Sequence, residues 1–297
     1  MLKTNEDKLV CQSVLGEITS PLGGINPYRI HPSGHADIYP GVGGITYNVR
    51  IGDRARGLFA DHVEPGVSIS NFTQFAGQPG PNRALNLFSC VGNVATVISG
   101  EAKGKKGRVT GKHGGIEHVL VDFEPETLEL LAIGDKMQIK ACGCGLSLLD
   151  HPEVKILNLD PQLLKVMGIK EKKGGQLEVP VTHTVPARIM GSGIGSSQSN
   201  SGDYDIQLFD EPTVAEFGLD DLRLGDVVAI IDADAAYGRI YKSGSIVIGI
   251  VVHSDCVLAG HGPGALVAMS ASAEKLVPKK TAAANLKNYF AKLPKTK

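Results

Sequence analysis

Glycine supplies 37 of the 297 residues, about 12% against a usual value of about 7%. These glycines show no collagen period, so they punctuate the chain with tight turns and leave only short runs between them. Such a chain does not build long helices; it builds short strands joined by turns. With aromatics at 5%, the core falls to Val, Ile and Leu. The expected class is mainly β, a β-rich α+β chain, in which a small barrel and further β units carry few short helices and a C-terminal amphipathic helix.

A hydrophobic fraction of 42% with 21% charged residues describes a globular protein with enough apolar surface for a core. The net charge of -1 argues against nucleic acid or a membrane surface as partner, because both need a field of one sign. Met1 to Lys8 contains no apolar run of signal-peptide length. The longest apolar stretch, Ile246 to Val252, has the length of a strand rather than of a membrane span, and a cytoplasmic location is expected. The five cysteines are odd in number and unevenly spread, which speaks against a secreted disulfide framework. Cys142-Gly143-Cys144 is C-x-C without a second pair, so these two are expected to be buried small hydrophobes.

Three Gly-Asp pairs, Gly52-Asp53, Gly134-Asp135 and Gly225-Asp226, each follow an apolar residue and launch an apolar stretch. Residues 92–141 gather several such strands into one barrel. Within it, Lys103-Gly104-Lys105-Lys106-Gly107-Arg108-Val109 resembles the short motif of SH3-like barrels in ribosomal and transcription proteins. RNA contact by this run is one reading; a solvated turn is the expected one. Asp160-Pro161 through Gly168 reads as a short capped helix. Leu286, Tyr289, Phe290 and Leu293 share one helical face. The six lysines from Lys279 on make this tail a membrane candidate, but docking on its own domain or on another subunit of a homo-oligomer is expected. The charged, flexible Glu171-Lys172-Lys173-Gly174-Gly175 suggests two domains, 1–172 and 173–297.

Chemistry-bearing residues collect in glycine-rich loops. Asp61, His62 and Glu64 offer carboxylates and an imidazole, and His113, Glu117 and His118 can complete a site with them, because a divalent metal wants three or more convergent ligands. Asp61, His62 and His113 are the candidate metal ligands, and Glu64 the group that moves a proton. In the second half, Gly191, Ser192 and Gly193 open the G-x-G-x-G run Gly191-Ser192-Gly193-Ile194-Gly195, whose N–H groups suit an anion. Asp203, Asp205, His253 and His261 are further ligand-binding candidates. A hairpin turning near Gly238 would leave His253 and Asp232 about 20 Å apart, so the two ends of that sheet serve different roles. Neither G-x-S-x-G nor a recognisable Cys/His nucleophile occurs.

Gly43-Gly44-Ile45-Thr46-Tyr47-Asn48-Val49, Asp61-His62-Val63-Glu64-Pro65-Gly66, Gly111-Lys112-His113-Gly114-Gly115, Met190-Gly191-Ser192-Gly193 and Gly202-Asp203-Tyr204-Asp205-Ile206 resemble one bacterial and archaeal family. The stretch from Leu224-Gly225-Asp226 through Tyr237-Gly238-Arg239 to Gly260-His261-Gly262-Pro263-Gly264 resembles it too. That family is known as a domain of unknown function with N- and C-terminal parts; the resemblance implies a β-rich, two-part protein and transfers no activity. The Gly-Asp strands and glycine loops are also similar, by analogy alone, to amide hydrolases of the acetamidase/formamidase type.

Three functions follow in order. The first is metal-assisted hydrolysis of a small polar substrate, with a divalent metal as cofactor. The second is non-catalytic binding of a small anion or peptide end, and the third an RNA-associated barrel.

Overall fold

The computed structural model describes residues 2–23, 27–73 and 80–295. Met1 and Lys297, the ends of the two terminal runs considered above, lie outside them. Six strands close into a barrel in the order Gln12–Ile18, Lys136–Ala141, Val94–Val97, Lys106–His113, His118–Asp122 and Gly66–Ser70. The last returns to the first through Glu17 opposite Ser70 and Ile18 opposite Ile69. Alternation does the sorting: in Lys136–Ala141 every second side chain is buried, and Met137 and Ile139 join Ile18, Val67, Val109 and Val121 inside. Residues 92–141 therefore do not close a barrel by themselves. They supply four of its strands, and the closure comes from Gln12–Ile18 and Gly66–Ser70, whose pairing is non-local.

A second sheet runs Lys155–Ile156, Gly264–Ser272, Ile240–Val251, Val227–Asp234, His183–Pro186, with Tyr204–Asp205 paired onto the start of Gly264–Ser272. Val227 to Ile230 and Ile246 to Val251 are buried without alternation, the mark of strands covered on both faces. A smaller sheet joins Lys170–Glu171, Leu177–Val181 and Leu276–Lys280. The barrel shares a wall with this second unit. In strand His118–Asp122, Val119 and Val121 point into the barrel. Leu120, between them, enters a second core that runs from Val49, Val63 and Leu159 to Val228, Ile248 and Leu266. That core draws on both halves of the chain.

The short helix Pro161–Val166 starts at Asp160, whose carboxylate accepts from Gln162 N–H, with Pro161 in the first turn. The tail helix Leu286–Phe290 is capped by Asn285, and its apolar face is covered by this chain itself: Leu286, Tyr289 and Leu293 are buried. Arg108 donates to the Pro294 carbonyl at 2.6 Å and lies over the Phe290 ring. Residues 171–174 are exposed. Among the described residues no helix is long and apolar enough to cross a membrane.

The cysteines depart from expectation. Gln12 pairs with Ala141 in antiparallel register, so the next residues out, Cys11 and Cys142, fall opposite each other and are joined as a disulfide. Cys144 is exposed rather than buried. The partners stand 131 residues apart in sequence, beyond what spacing can reveal.

Candidate metal centre

The seam between barrel and second sheet holds a cleft of about 1000 Å³. From the barrel side, His113 ends strand Lys106–His113 and His118 begins the returning strand directly opposite. Both reach Glu64, which lies just ahead of Gly66–Ser70. Glu64 is fully buried and accepts from His113 Nδ1, His118 Nδ1, Ser68 Oγ and the Gly43 N–H. Burial by itself would raise its carboxyl, yet the histidines hold it well below the usual carboxylate range.

His62 lies on the loop before Glu64 with φ +53°, a left-handed conformation uncommon for a non-glycine residue. Its backbone is tied to the second sheet: His62 N–H donates to the Asp255 carbonyl, and Ser254 N–H to the Val63 carbonyl. Asp61 Oδ1 accepts from His62 Nδ1 at 3.1 Å and from the Cys256 thiol at 2.8 Å, while Oδ2 faces Arg29. Burial would raise Asp61, but the His62 and Cys256 hydrogen bonds hold it well down.

From the second sheet, strand Gly264–Ser272 lies between Tyr204–Asp205 and Ile240–Val251. This places Asp203 and Asp205 beside His253, which follows Val251. Gly264 makes the approach feasible, because a Cβ there would strike both Asp203 Oδ2 and His253 Nε2. His253 Nδ1 donates to the Ser254 carbonyl. Its Nε2 comes to 2.7 Å from Asp203 Oδ2, and neither atom makes an aligned hydrogen bond. Burial would lower His253, but Asp203 and Asp205 lift it to about 9. His261, partly exposed, completes the rim, with Nδ1 3.3 Å from Asp205 Oδ2 and 3.3 Å from His62 Nε2.

One rule unites the histidines. A carboxylate or carbonyl oxygen can only accept, so His62, His113 and His253 each carry a proton on Nδ1. The Nε2 sides differ: that of His62 faces His261 Nδ1, and that of His253 faces Asp203 Oδ2. Ligand atoms of these three residues lie within 4.8 Å of one another, as do those of Asp203, Asp205 and His253. Imidazoles oriented in this way by carboxylates or carbonyls are the usual surroundings of a metal. Asp61, Glu64, Asp203 and Asp205 are all buried here, and each faces at least one imidazole.

The residues singled out in the sequence thus meet from both halves. His62 and His113 face the centre; Asp61 and Glu64 sit behind them as orienting groups, and Asp203, Asp205, His253 and His261 join the same cluster. Ser192 and Gly193 line the cleft. The N–H groups of Gly191, Ser192, Ile194, Gly195 and Ser196 are spent on internal bonds, so this run forms a wall rather than an anion nest. Asp232 stands at a bulge where its carboxylate caps Gly244 N–H, outside the cleft. Arg239 belongs to the Tyr237-Gly238-Arg239 string, which by itself gives it no role. It is buried beneath the wall, and its guanidinium holds the Gly193, Ser201 and Gly202 carbonyls.

Two family models, described as the N-terminal and C-terminal parts of a domain of unknown function, DUF4438, match residues 28–165 and 166–290. They join ahead of the 172/173 division expected from the charged run. A solved structure titled "Crystal structure of TM1086" matches with a TM-score of 0.91 at 48% identity, covering 97% of this chain and 99% of that one. None of the curated proteins compared matches the chain.

Proposed function

The chain belongs to the DUF4438 family, and we propose that its cleft is the active site of a divalent-metal-dependent hydrolase acting on a small polar substrate such as an amide. The observation that carries this reading is that ligand atoms of His62, His113 and His253 lie within 4.8 Å of one another, and that His253 belongs to a second such set with Asp203 and Asp205. Three nitrogens and a carboxylate suit zinc, iron(II) or manganese(II). A bound ion of this kind supplies Lewis acidity and a more acidic water.

The chain's own groups divide the remaining work. Asp61 and Glu64 keep His62 and His113 in register, and Glu64, with its oxygens occupied, is an anchor rather than a proton carrier. His261 stands at the open side with the buried Asp205 behind it, and the pair passes a proton between water and leaving group. Burial has the smaller effect on His261; the Asp205 hydrogen bond raises it first, as a proton donor requires. Ser192, Ser196 and Ser201 offer the substrate hydrogen bonds from the opposite wall.

Elemental analysis of the purified chain, then chelation and reloading with zinc or manganese, tests the reading. Stoichiometric metal is expected, with small-amide hydrolysis that depends on it and is lost in His113→Ala. Metal binding without hydrolysis of amides or esters would favour the binding-protein reading. Equal metal uptake by wild type, His113→Ala and His253→Ala would remove the centre.

A further inference from the structure

Four of the five cysteines meet at the barrel end where Cys11 and Cys142 are joined, outside the cleft. Cys90 follows the helix Gly80–Phe88, and Cys144 lies one residue beyond Gly143. The two free thiols converge on the same carbonyl: both reach Phe88 O, at 3.7 and 3.9 Å, and Cys144 Sγ also reaches the Leu87 carbonyl at 3.3 Å. Asn93 clamps the segments together, its Oδ1 accepting from both Cys90 and Cys142 N–H. Gly143, at φ +136°, is required between them, since a Cβ there would strike Cys90 Sγ and the Leu159 carbonyl.

The pair is asymmetric. Cys90 is buried and Cys144 exposed. The interaction between the two thiols raises Cys90 and lowers Cys144, and the buried Lys112 ammonium favours the thiolate further. Beside Cys144 opens a separate cavity of about 370 Å³, walled by Leu9, Val10 and Phe88, with Lys8 at its edge. An accessible, acidic thiol backed by a second thiol is the arrangement of an attacking and a resolving cysteine.

We infer that Cys144 and Cys90 form a thiol–disulfide exchange pair that reduces a small disulfide seated in this cavity. Cys144 thiolate attacks one sulfur of the ligand; the ligand S–S bond breaks, a mixed disulfide forms on Cys144, and the first ligand thiolate leaves. Cys90 then attacks Cys144 Sγ, closing a Cys90–Cys144 bond and releasing the second ligand thiol with the Cys90 proton. Two electrons pass from the protein dithiol to the ligand disulfide. Cys11–Cys142 takes no part.

The test treats the full-length chain, with Cys90 and Cys144 reduced, with glutathione disulfide, and follows glutathione release, intact mass and disulfide peptide maps. The wild type should release two glutathiones for each Cys90–Cys144 bond mapped. Cys90→Ser should stop at a single glutathionyl group on Cys144, with Cys90→Ala in its place if serine at this buried position loosens the fold. Cys144→Ser should lose the reaction at both positions. A stable glutathionyl group on wild-type Cys144, a mapped Cys142–Cys144 bond, or an unreacted Cys144 would each overturn the inference.

Discussion

His62 Nε2 and His261 Nδ1 lie 3.3 Å apart although 199 residues separate them in the chain. One imidazole comes from the edge of the barrel and the other from a glycine loop of the second sheet. The candidate centre is thus a joint between two bodies of structure.

Gly264→Ala places a methyl group against Asp203 Oδ2 and His253 Nε2. Metal affinity should fall about 100-fold, the upper range for disturbed surroundings of a metal, with the circular dichroism of the β fold retained. Titration calorimetry with zinc reads the change; unaltered affinity would separate Asp203 and His253 from the centre.

Asp61→Asn and Glu64→Gln keep the shape of each acceptor and remove its charge. Each should weaken metal binding by about 10- to 100-fold through the histidine behind which it stands. Glu64→Ala goes further. It strands four donors around a buried hole, so it should cost on the order of 3–5 kcal/mol in urea unfolding, whereas Asp61, whose Oδ2 faces the partly exposed Arg29, should cost less.

Lys112 is fully buried, and its ammonium donates to Asn158 Oδ1 at 2.8 Å and to the Asn200 carbonyl at 2.7 Å. Asn200 precedes the segment carrying Asp203 and Asp205. Lys112→Met should therefore cost about 2 kcal/mol from unsatisfied acceptors and loosen that segment. Faster amide hydrogen exchange across residues 198–203, beyond any change in the barrel strands, is the expected sign.

Tyr289 has a buried hydroxyl without a hydrogen-bond partner, and burial lifts its phenol from the ordinary 10 to about 12. Because the folded value is the higher one, its contribution to stability is intact below pH 10 and is lost as pH rises from 10 through 12. Tyr289→Phe should flatten that alkaline loss while leaving neutral-pH stability unchanged or slightly higher. Melting curves of both proteins across this window decide it; parallel curves would detach Tyr289 from the effect.

What the sequence makes legible follows the range of the underlying interactions. Glycine turns, the cap at Asp160 and the apolar face of the tail are local, and each can be read from a few neighbouring residues. The imidazole and carboxylate clusters also stand out, because they sit among glycines. Their union is not legible. His253 reaches Asp203 only because strand Gly264–Ser272 inserts between their elements, and no spacing encodes that insertion. The barrel shows the same limit, since Gln12–Ile18 finds Lys136–Ala141 across more than a hundred residues. The role of Arg239 shows only once the carbonyls it gathers are in place.

The order of the ligands along the chain also sets when the centre can exist. His62 and His113 belong to the first half, but Asp203, His253 and the Gly264 that admits them are synthesised much later. A nascent chain that has exposed only its barrel strands presents imidazoles without the residues of the second half. If the cluster holds a metal as proposed, its capture is deferred until the second sheet has left the ribosome and docked. Loading would then be the last event of biogenesis rather than its nucleus.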